Sequence, residues 1–177
     1  MQNQRILDID IDGDGTDDAI LTLIEDERLQ KGDILADDDE RALLVLLGNK
    51  KGGYRRSSFA KNAILCASCA GMMGKFGSKE QGVILYESEK NIFTIGWTSG
   101  SRDTVNVGLH FGFDAKSKQF VLLSDRVEKT DRVEGKSMTT YRDFVTGTQT
   151  VDGKVSRIEK KLIPIESIKY YDYLGHN

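Results

Sequence analysis

The chain has 177 residues, of which 38% are hydrophobic and 30% are charged, a composition typical of globular proteins and not of disordered ones. Its net charge of −3 conceals an asymmetry: residues 1–40 contain fourteen Asp and Glu against three Lys and Arg, whereas residues 41–177 contain fourteen against twenty-two. No run of about eighteen apolar residues occurs, which argues against a membrane-spanning helix, and the acidic N-terminal part argues against nucleic acid as a partner.

The length suits a single domain with its own hydrophobic core, and we predict one domain over residues 1–177. The first residues, MQNQRILD, lack a basic segment followed by an apolar one, so the given chain carries no recognisable export signal. The sequence therefore predicts either a cytosolic protein or an exported protein whose signal has been removed.

Residues 8–20, DIDIDGDGTDDAI, contain six aspartates. With Asp10 as position one, carboxylates fall at positions one, three, five and nine, with glycine at position six and threonine at position seven. Alternate side chains of such a loop turn inward, the glycine permits a sharp bend, and the threonine carbonyl adds a hard oxygen, so the spacing predicts a calcium site. The predicted ligands are the side chains of Asp10, Asp12, Asp14 and Asp18 and the carbonyl of Thr16.

Position twelve of this loop is Leu21, where an EF-hand needs a bidentate glutamate, and both flanks are predicted as strands instead of helices. A DxDxDG loop between strands resembles the calcium hairpin of FG-GAP repeats, as in integrin propellers and bacterial VCBS-type repeat proteins. The resemblance covers about fifteen residues of a hairpin over residues 5–26 and implies that Asp8 and Asp17 lie outside the coordination sphere. Because no second DxDxDG occurs, we expect a single metal-stabilised hairpin within another β fold and not a propeller.

Two further acidic runs follow the loop and have no metal-ligand spacing. A dense negative surface attracts a basic protein partner, so these runs are candidate partner-binding residues, although a merely solvated acidic face is the simpler alternative. The residues are Glu25, Asp26, Glu27, Asp37, Asp38, Asp39 and Glu40.

The rest of the chain is predicted as strands joined by tight turns. The clearest period of two lies in VNVGLHFGF, residues 105–113, and the strongest hairpin signal is Asp152-Gly153. We predict a mainly β fold, an antiparallel β-meander of about eight to ten strands forming a sandwich or open barrel, with short helical turns at residues 68–75 and 165–170. The predicted strands after the first are residues 19–24, 41–47, 54–64, 83–86, 92–97, 105–113, 120–123, 144–151 and 154–161.

Cys66 and Cys69 form a CxxC pair that can be a structural disulfide, two buried thiols, a redox centre or half of a zinc site. The disulfide is favoured, because no proline or aromatic residue frames the pair as in thioredoxin-like proteins. A zinc site would need His110 or His176, and neither has a recognisable ligand spacing. A disulfide and a calcium loop both point to an oxidising, calcium-rich compartment.

The order of these motifs resembles a family of small, uncharacterised bacterial envelope proteins, some of them lipoproteins. The shared features are the DxDGDGxDD strand, the RALLVLL strand, the CxxC segment, the IFTIGW strand, and Phe144, Thr146 and Gly147 before the LIPIE stretch. The resemblance implies export and a location in the periplasm or cell envelope, and it supplies no catalytic residue.

Signatures of catalysis are missing from the sequence. No nucleophile elbow surrounds Ser99, Ser101 or Ser124, and no phosphate or dinucleotide loop is present. We therefore expect a calcium-stabilised, non-catalytic binding protein, an inhibitor or immunity protein that binds a toxin or hydrolase. The alternatives are a thiol-disulfide redox protein using the CxxC pair and a surface or adhesion module that binds glycan through the calcium face.

Overall fold

The computed structural model describes residues 5–24, 41–66, 69 and 83–174. These residues form two antiparallel sheets. Sheet 1 has four strands in chain order, β1 (Arg5–Ile9), β2 (Asp18–Ile24), β3 (Arg41–Gly48) and β4 (Tyr54–Ile64).

Sheet 2 has eight strands, of which the first seven lie side by side in chain order. The strands are β5 (Val83–Glu87), β6 (Ile92–Gly100), β7 (Asp103–Asp114), β8 (Gln119–Asp131), β9 (Lys136–Asp143), β10 (Thr148–Val151), β11 (Lys154–Arg157) and β12 (Ile163–Pro164). The predicted mainly β, antiparallel architecture is confirmed, with more strands than expected.

The inner faces of both sheets contribute to one hydrophobic cluster, which makes the fold a β-sandwich. In β7 the odd positions Val105, Val107, Leu109 and Phe111 are buried, as the period of two predicts. Ile20 and Val45 of sheet 1 are register partners and are fully buried on the facing side. Complete burial of an aliphatic or phenyl side chain stabilises a fold by about 1.5–3 kcal/mol, so these positions hold the sheets together.

Several turns follow from local chemistry. Asp152 and Gly153 have φ values of 46° and 81°, as a type I′ hairpin requires, and they join β10 to β11. The predicted strand at residues 144–151 begins only at Thr148. The Asp143 carboxylate accepts the backbone N–H groups of Val145 and Thr146 at 2.9 and 2.8 Å, and this turn removes residues 144–147 from the strand.

The last part of the described chain returns to the middle of sheet 2. β12 pairs with β8 at Leu122 and Val121, and 3-10 turns follow at Ile165–Ser167 and Tyr170–Tyr173, where a helical turn was predicted. The other predicted helical turn, residues 68–75, lies outside the described residues except for Cys69. Within the described chain, no helix has the length and apolarity needed to cross a membrane.

Candidate metal site

The loop between β1 and β2 is organised around the carboxylate of Asp10. Its Oδ1 accepts the N–H groups of Gly13 and Asp14 at 2.9 and 3.0 Å, and its Oδ2 accepts that of Gly15 at 3.0 Å. Gly13 and Gly15 have φ values of 78° and 81°, a backbone region that glycine adopts without strain. The bend predicted at Gly15 is therefore confirmed, and it wraps the chain around the Asp10 carboxylate.

Asp18 is the first residue of β2, and its hydrogen bonds connect the loop to the neighbouring strand β3. Its side chain is fully buried; its Oδ2 accepts the N–H of Ile11 at 2.9 Å and its Oδ1 accepts the N–H of Gly48 at 2.8 Å. A Cβ atom on Gly48 would lie only 2.2 Å from the carbonyl oxygen of Asp17. The close approach of β3 to the loop therefore depends on glycine at this position.

Three of the four predicted carboxylate ligands converge. Oxygen atoms of Asp10, Asp12 and Asp18 all lie within 4.8 Å of one another. Calcium binds oxygen at about 2.4 Å, so two ligand atoms on opposite sides of one ion are about 4.8 Å apart, and this oxygen-only donor set fits calcium.

Within the group, the pKa of Asp12 responds to the crowding of negative charge. Burial raises the pKa of Asp12, a backbone hydrogen bond from Asp14 opposes the rise, and repulsion by neighbouring aspartates adds to it. A bound cation would relieve this repulsion directly.

Asp14 does not belong to the converging group. Its carboxylate accepts the backbone N–H of Thr16 at 2.8 Å and also the Thr16 hydroxyl. These hydrogen bonds lower the pKa of Asp14, and the positive charges of Lys50 and Arg55 add to the effect. Ligation by the Asp14 side chain and the Thr16 carbonyl stays a prediction.

The loop has contacts that sequence analysis missed. The hydroxyl of Tyr86 on β5 donates to the carbonyl oxygen of Asp10 at 2.7 Å and lies 3.1 Å from Oδ1 of Asn91, in the β5–β6 turn. Burial raises the pKa of Tyr86, and the charges of Asp10 and Asp18 add to the rise. Tyr86 lies 76 positions from Asp10 in the chain, beyond the reach of a local spacing pattern. These contacts connect the loop to sheet 2.

Cys66 and Cys69 form a disulfide with a Cα–Cα distance of 5.2 Å, as favoured from the sequence. Cys66 is fully buried, whereas Cys69 is half-buried with its Sγ 3.5 Å from the hydroxyl of Tyr170. Cys69 also lines a groove of about 680 Å³ at the β6–β7 and β8–β9 turns. The pair thus joins the segment after β4 to the C-terminal turns.

Of the remaining candidates, those that the structure describes lie outside the converging group. His110 lies on β7 with its Nδ1 2.8 Å from the hydroxyl of Thr94, and burial lowers its pKa. Asp8 and Asp17 are exposed. His176 and the acidic runs at residues 25–27 and 37–40 lie outside the described residues.

Comparison of the chain with protein-family models, with curated proteins and with solved structures finds no match.

Proposed function

We propose that the chain is a calcium-stabilised, non-catalytic binding protein whose first hairpin is held closed by one calcium ion. The observation that carries the proposal is the convergence of Asp10, Asp12 and Asp18 within 4.8 Å in a glycine-bent loop. When bound, the ion supplies positive charge to a group of carboxylates that otherwise repel one another.

The position of the loop supports a structural role for the ion. Asp18 connects the loop to β3 through Gly48, and the Asp10 carbonyl connects it to β5 through Tyr86. Closing the loop therefore strengthens contacts with both sheets. Calcium at ten to one hundred times its Kd would stabilise the folded state by about 1.4–2.7 kcal/mol, which corresponds to a rise in Tm of roughly 3–10 °C for a chain of this size.

The proposed partner is a basic protein, a toxin or hydrolase of the cell envelope, bound by the acidic runs at residues 25–27 and 37–40. Support for this part comes from the sequence and its charge asymmetry, together with the register pairing of Ile24 and Arg41, the residues next to the two runs. Ile24 and Arg41 thus lie at the same end of sheet 1. The disulfide supports an oxidising compartment such as the periplasm.

The calcium proposal is tested by melting the protein in 1–5 mM calcium and in excess chelator. We expect Asp12→Asn to abolish the difference in Tm between the two conditions, because it removes one of the converging carboxylates. Asp8→Asn and Asp17→Asn are matched controls, since each removes the same charge from an exposed aspartate outside the group. The wild-type shift should persist in both controls, and equal loss of the shift in all three variants would replace ion ligation by a general charge effect.

A second candidate is thiol-disulfide exchange, favoured by the placement of Cys69 on a groove. Cys66 is fully buried, so of the two cysteines only Cys69 is accessible to solvent. An incoming thiolate would therefore have to attack the sulfur of Cys69 and release the Cys66 thiolate. Reduction of insulin by the wild-type protein and not by Cys69→Ser would support this activity. Glycan binding through the calcium face stays an alternative that a glycan array with calcium and with chelator can examine.

A further inference from the structure

The outer face of sheet 1, turned away from the shared core, is apolar except at its edges, where Arg5 on β1 and Arg56 on β4 are the register partners of Leu21 and Leu46. Leu44 on β3 is the register partner of both Leu21 on β2 and Phe59 on β4, so these three side chains form one row across the sheet. Ala19 pairs with both Leu7 and Leu46 in the next row. We define the outer leucine face as Leu7, Leu21, Leu23, Leu44, Leu46 and Phe59.

These side chains are accessible to solvent. Leu7 and Phe59, on the two edge strands, are 42% and 39% exposed, and the four leucines between them are partly exposed. On the opposite side of the same strands Ile20, Leu43 and Val45 are fully buried. A half-exposed sheet ordinarily alternates apolar and polar residues, so apolar residues on both faces of β2 and β3 indicate that the outer face is also an interface.

The size of the face matches the lower limit for a stable dimer. Four strands about 4.8 Å apart, with five residues in β1 and about seven in each of the others at about 3.3 Å per residue, give a projected area of roughly 400 Å² per copy. The accessible surface of an uneven layer of side chains is larger than its projection. Two copies therefore bury on the order of 1,000 Å² or more, which specific interfaces require.

Charge at one end of the face is self-complementary. The end of β1 carries the exposed Asp8 beside the acidic loop, whereas the same end of β4 carries the exposed Arg56, the register partner of Leu46 on this face. Rotation by 180° about an axis parallel to the strands places β1 of one copy over β4 of the other and keeps the loop ends together. The acidic side of each copy then lies over the basic side of its partner.

We propose that the chain forms a two-fold symmetric dimer in which the outer leucine faces of two copies stack against each other. The two sheets would lie about 10 Å apart, the usual spacing of stacked sheets, in an isologous interface. The proposal goes beyond the calcium function and does not depend on it, because Asp8 is not one of the converging carboxylates.

The mass of the full chain in solution, measured by sedimentation equilibrium from 1 to 200 μM, tests the dimer. We expect the wild type to show twice the monomer mass of 19.8 kDa. Leu44→Glu should raise the dissociation constant at least one hundredfold, whereas Val155→Glu, at a 72% exposed position on β11 of sheet 2, should leave it unchanged. A wild-type protein that stays monomeric at 200 μM overturns the proposal, and so does one that pairs with another protein through this face but not with itself.

Charge-reversed variants keep the test valid if Leu44→Glu fails to fold. Arg56→Glu changes one exposed side chain on this face and should weaken self-association about tenfold. Mixing this variant with Asp8→Lys should restore association as a heterodimer. An Arg56→Glu protein that dimerises as tightly as the wild type would contradict the proposed orientation.

Discussion

At the scale of single residues, Asp125 is a fully buried charge held between two neighbouring side chains. Its carboxylate is fully buried and binds Arg142 through two hydrogen bonds, Nε to Oδ1 at 2.9 Å and Nη2 to Oδ2 at 2.6 Å. The hydroxyl of Tyr173 also donates to Oδ2, at 3.1 Å. Because a buried carboxylate without partners is strongly unfavourable, Arg142 and Tyr173 together make Asp125 acceptable inside the protein.

Tyr173 makes the stability of the folded protein depend on pH in the alkaline range. Burial raises the pKa of Tyr173 above 10 in the folded state, and the negative charge of Asp125 adds to the rise. The unfolded chain releases this proton near pH 10 while the folded protein retains it, so the stabilising contribution is complete below pH 10 and declines above it.

The wild type should therefore lose about 1.4 kcal/mol more than Tyr173→Phe when the pH is raised from 8 to 11. Urea unfolding at both pH values measures the difference, and Tyr173→Phe serves as its own control for other titrating groups. Identical losses in the two proteins would mean that Tyr173 also ionises freely in the folded state.

At the scale of elements, Gly48 decides how closely β3 can approach the β1–β2 loop. An added Cβ would lie 2.2 Å from the Asp17 carbonyl oxygen and 3.4 Å from the Thr16 hydroxyl. Both neighbours belong to the loop, one of them to its backbone, so the strand or the loop would have to move.

We expect Gly48→Ala to cost about 1–3 kcal/mol and to weaken calcium binding, since the shift displaces the N–H that holds Asp18. Gly108→Ala on β7 is a suitable control, because the nearest atom to its added Cβ is 3.9 Å away. Denaturant unfolding and calorimetric titration with calcium measure the two effects. If Gly48→Ala is as stable as Gly108→Ala, the loop can move to accommodate the added Cβ without loss of stability.

The elements differ in how far the sequence predicts them. β7 and the Asp152-Gly153 hairpin were predictable because a period of two and a type I′ turn are local patterns. β9 was not, because its sequence KSMTTYRD has no apolar alternation; neighbouring strands on both sides satisfy its backbone hydrogen bonds. The second half of β8 was missed for the same reason, since polar residues there continue a strand that its partners dictate.

The candidate site shows the same division between local and distant information. Spacing alone identified Asp10, Asp12 and Asp18, which the fold brings together. The contacts of Gly48 and Tyr86 with the loop depend on where β3 and β5 are placed, which the loop sequence does not encode.

At the scale of the whole molecule, the β1–β2 loop is connected to both sheets. Tyr86 is the connection to sheet 2, through the 2.7 Å hydrogen bond to the Asp10 carbonyl. Calcium binding should therefore protect backbone amides of β5 and β6, although neither strand is predicted to supply a ligand.

We expect hydrogen exchange to slow in β5 and β6 on addition of calcium in the wild type, and to change much less there in Tyr86→Phe. β1 and β2 act as an internal control, because they flank the loop and should gain protection in both proteins. Equal protection of β5 and β6 in the two proteins would mean that the sheets communicate by another route.

The placement of β12 has a consequence for the order of folding. The first seven strands of sheet 2 are neighbours in both chain and space, so they can pair hairpin by hairpin with little loop-closure entropy. β12 and Tyr173 instead reach back some forty to fifty residues to Val121, Leu122 and Asp125. During synthesis from the N-terminus, part of β8 lacks its β12 partner and Asp125 lacks Tyr173 until the C-terminal residues are made. Docking of the C-terminal segment is therefore the last step of folding. Before that step, the protein is most exposed to aggregation and proteolysis.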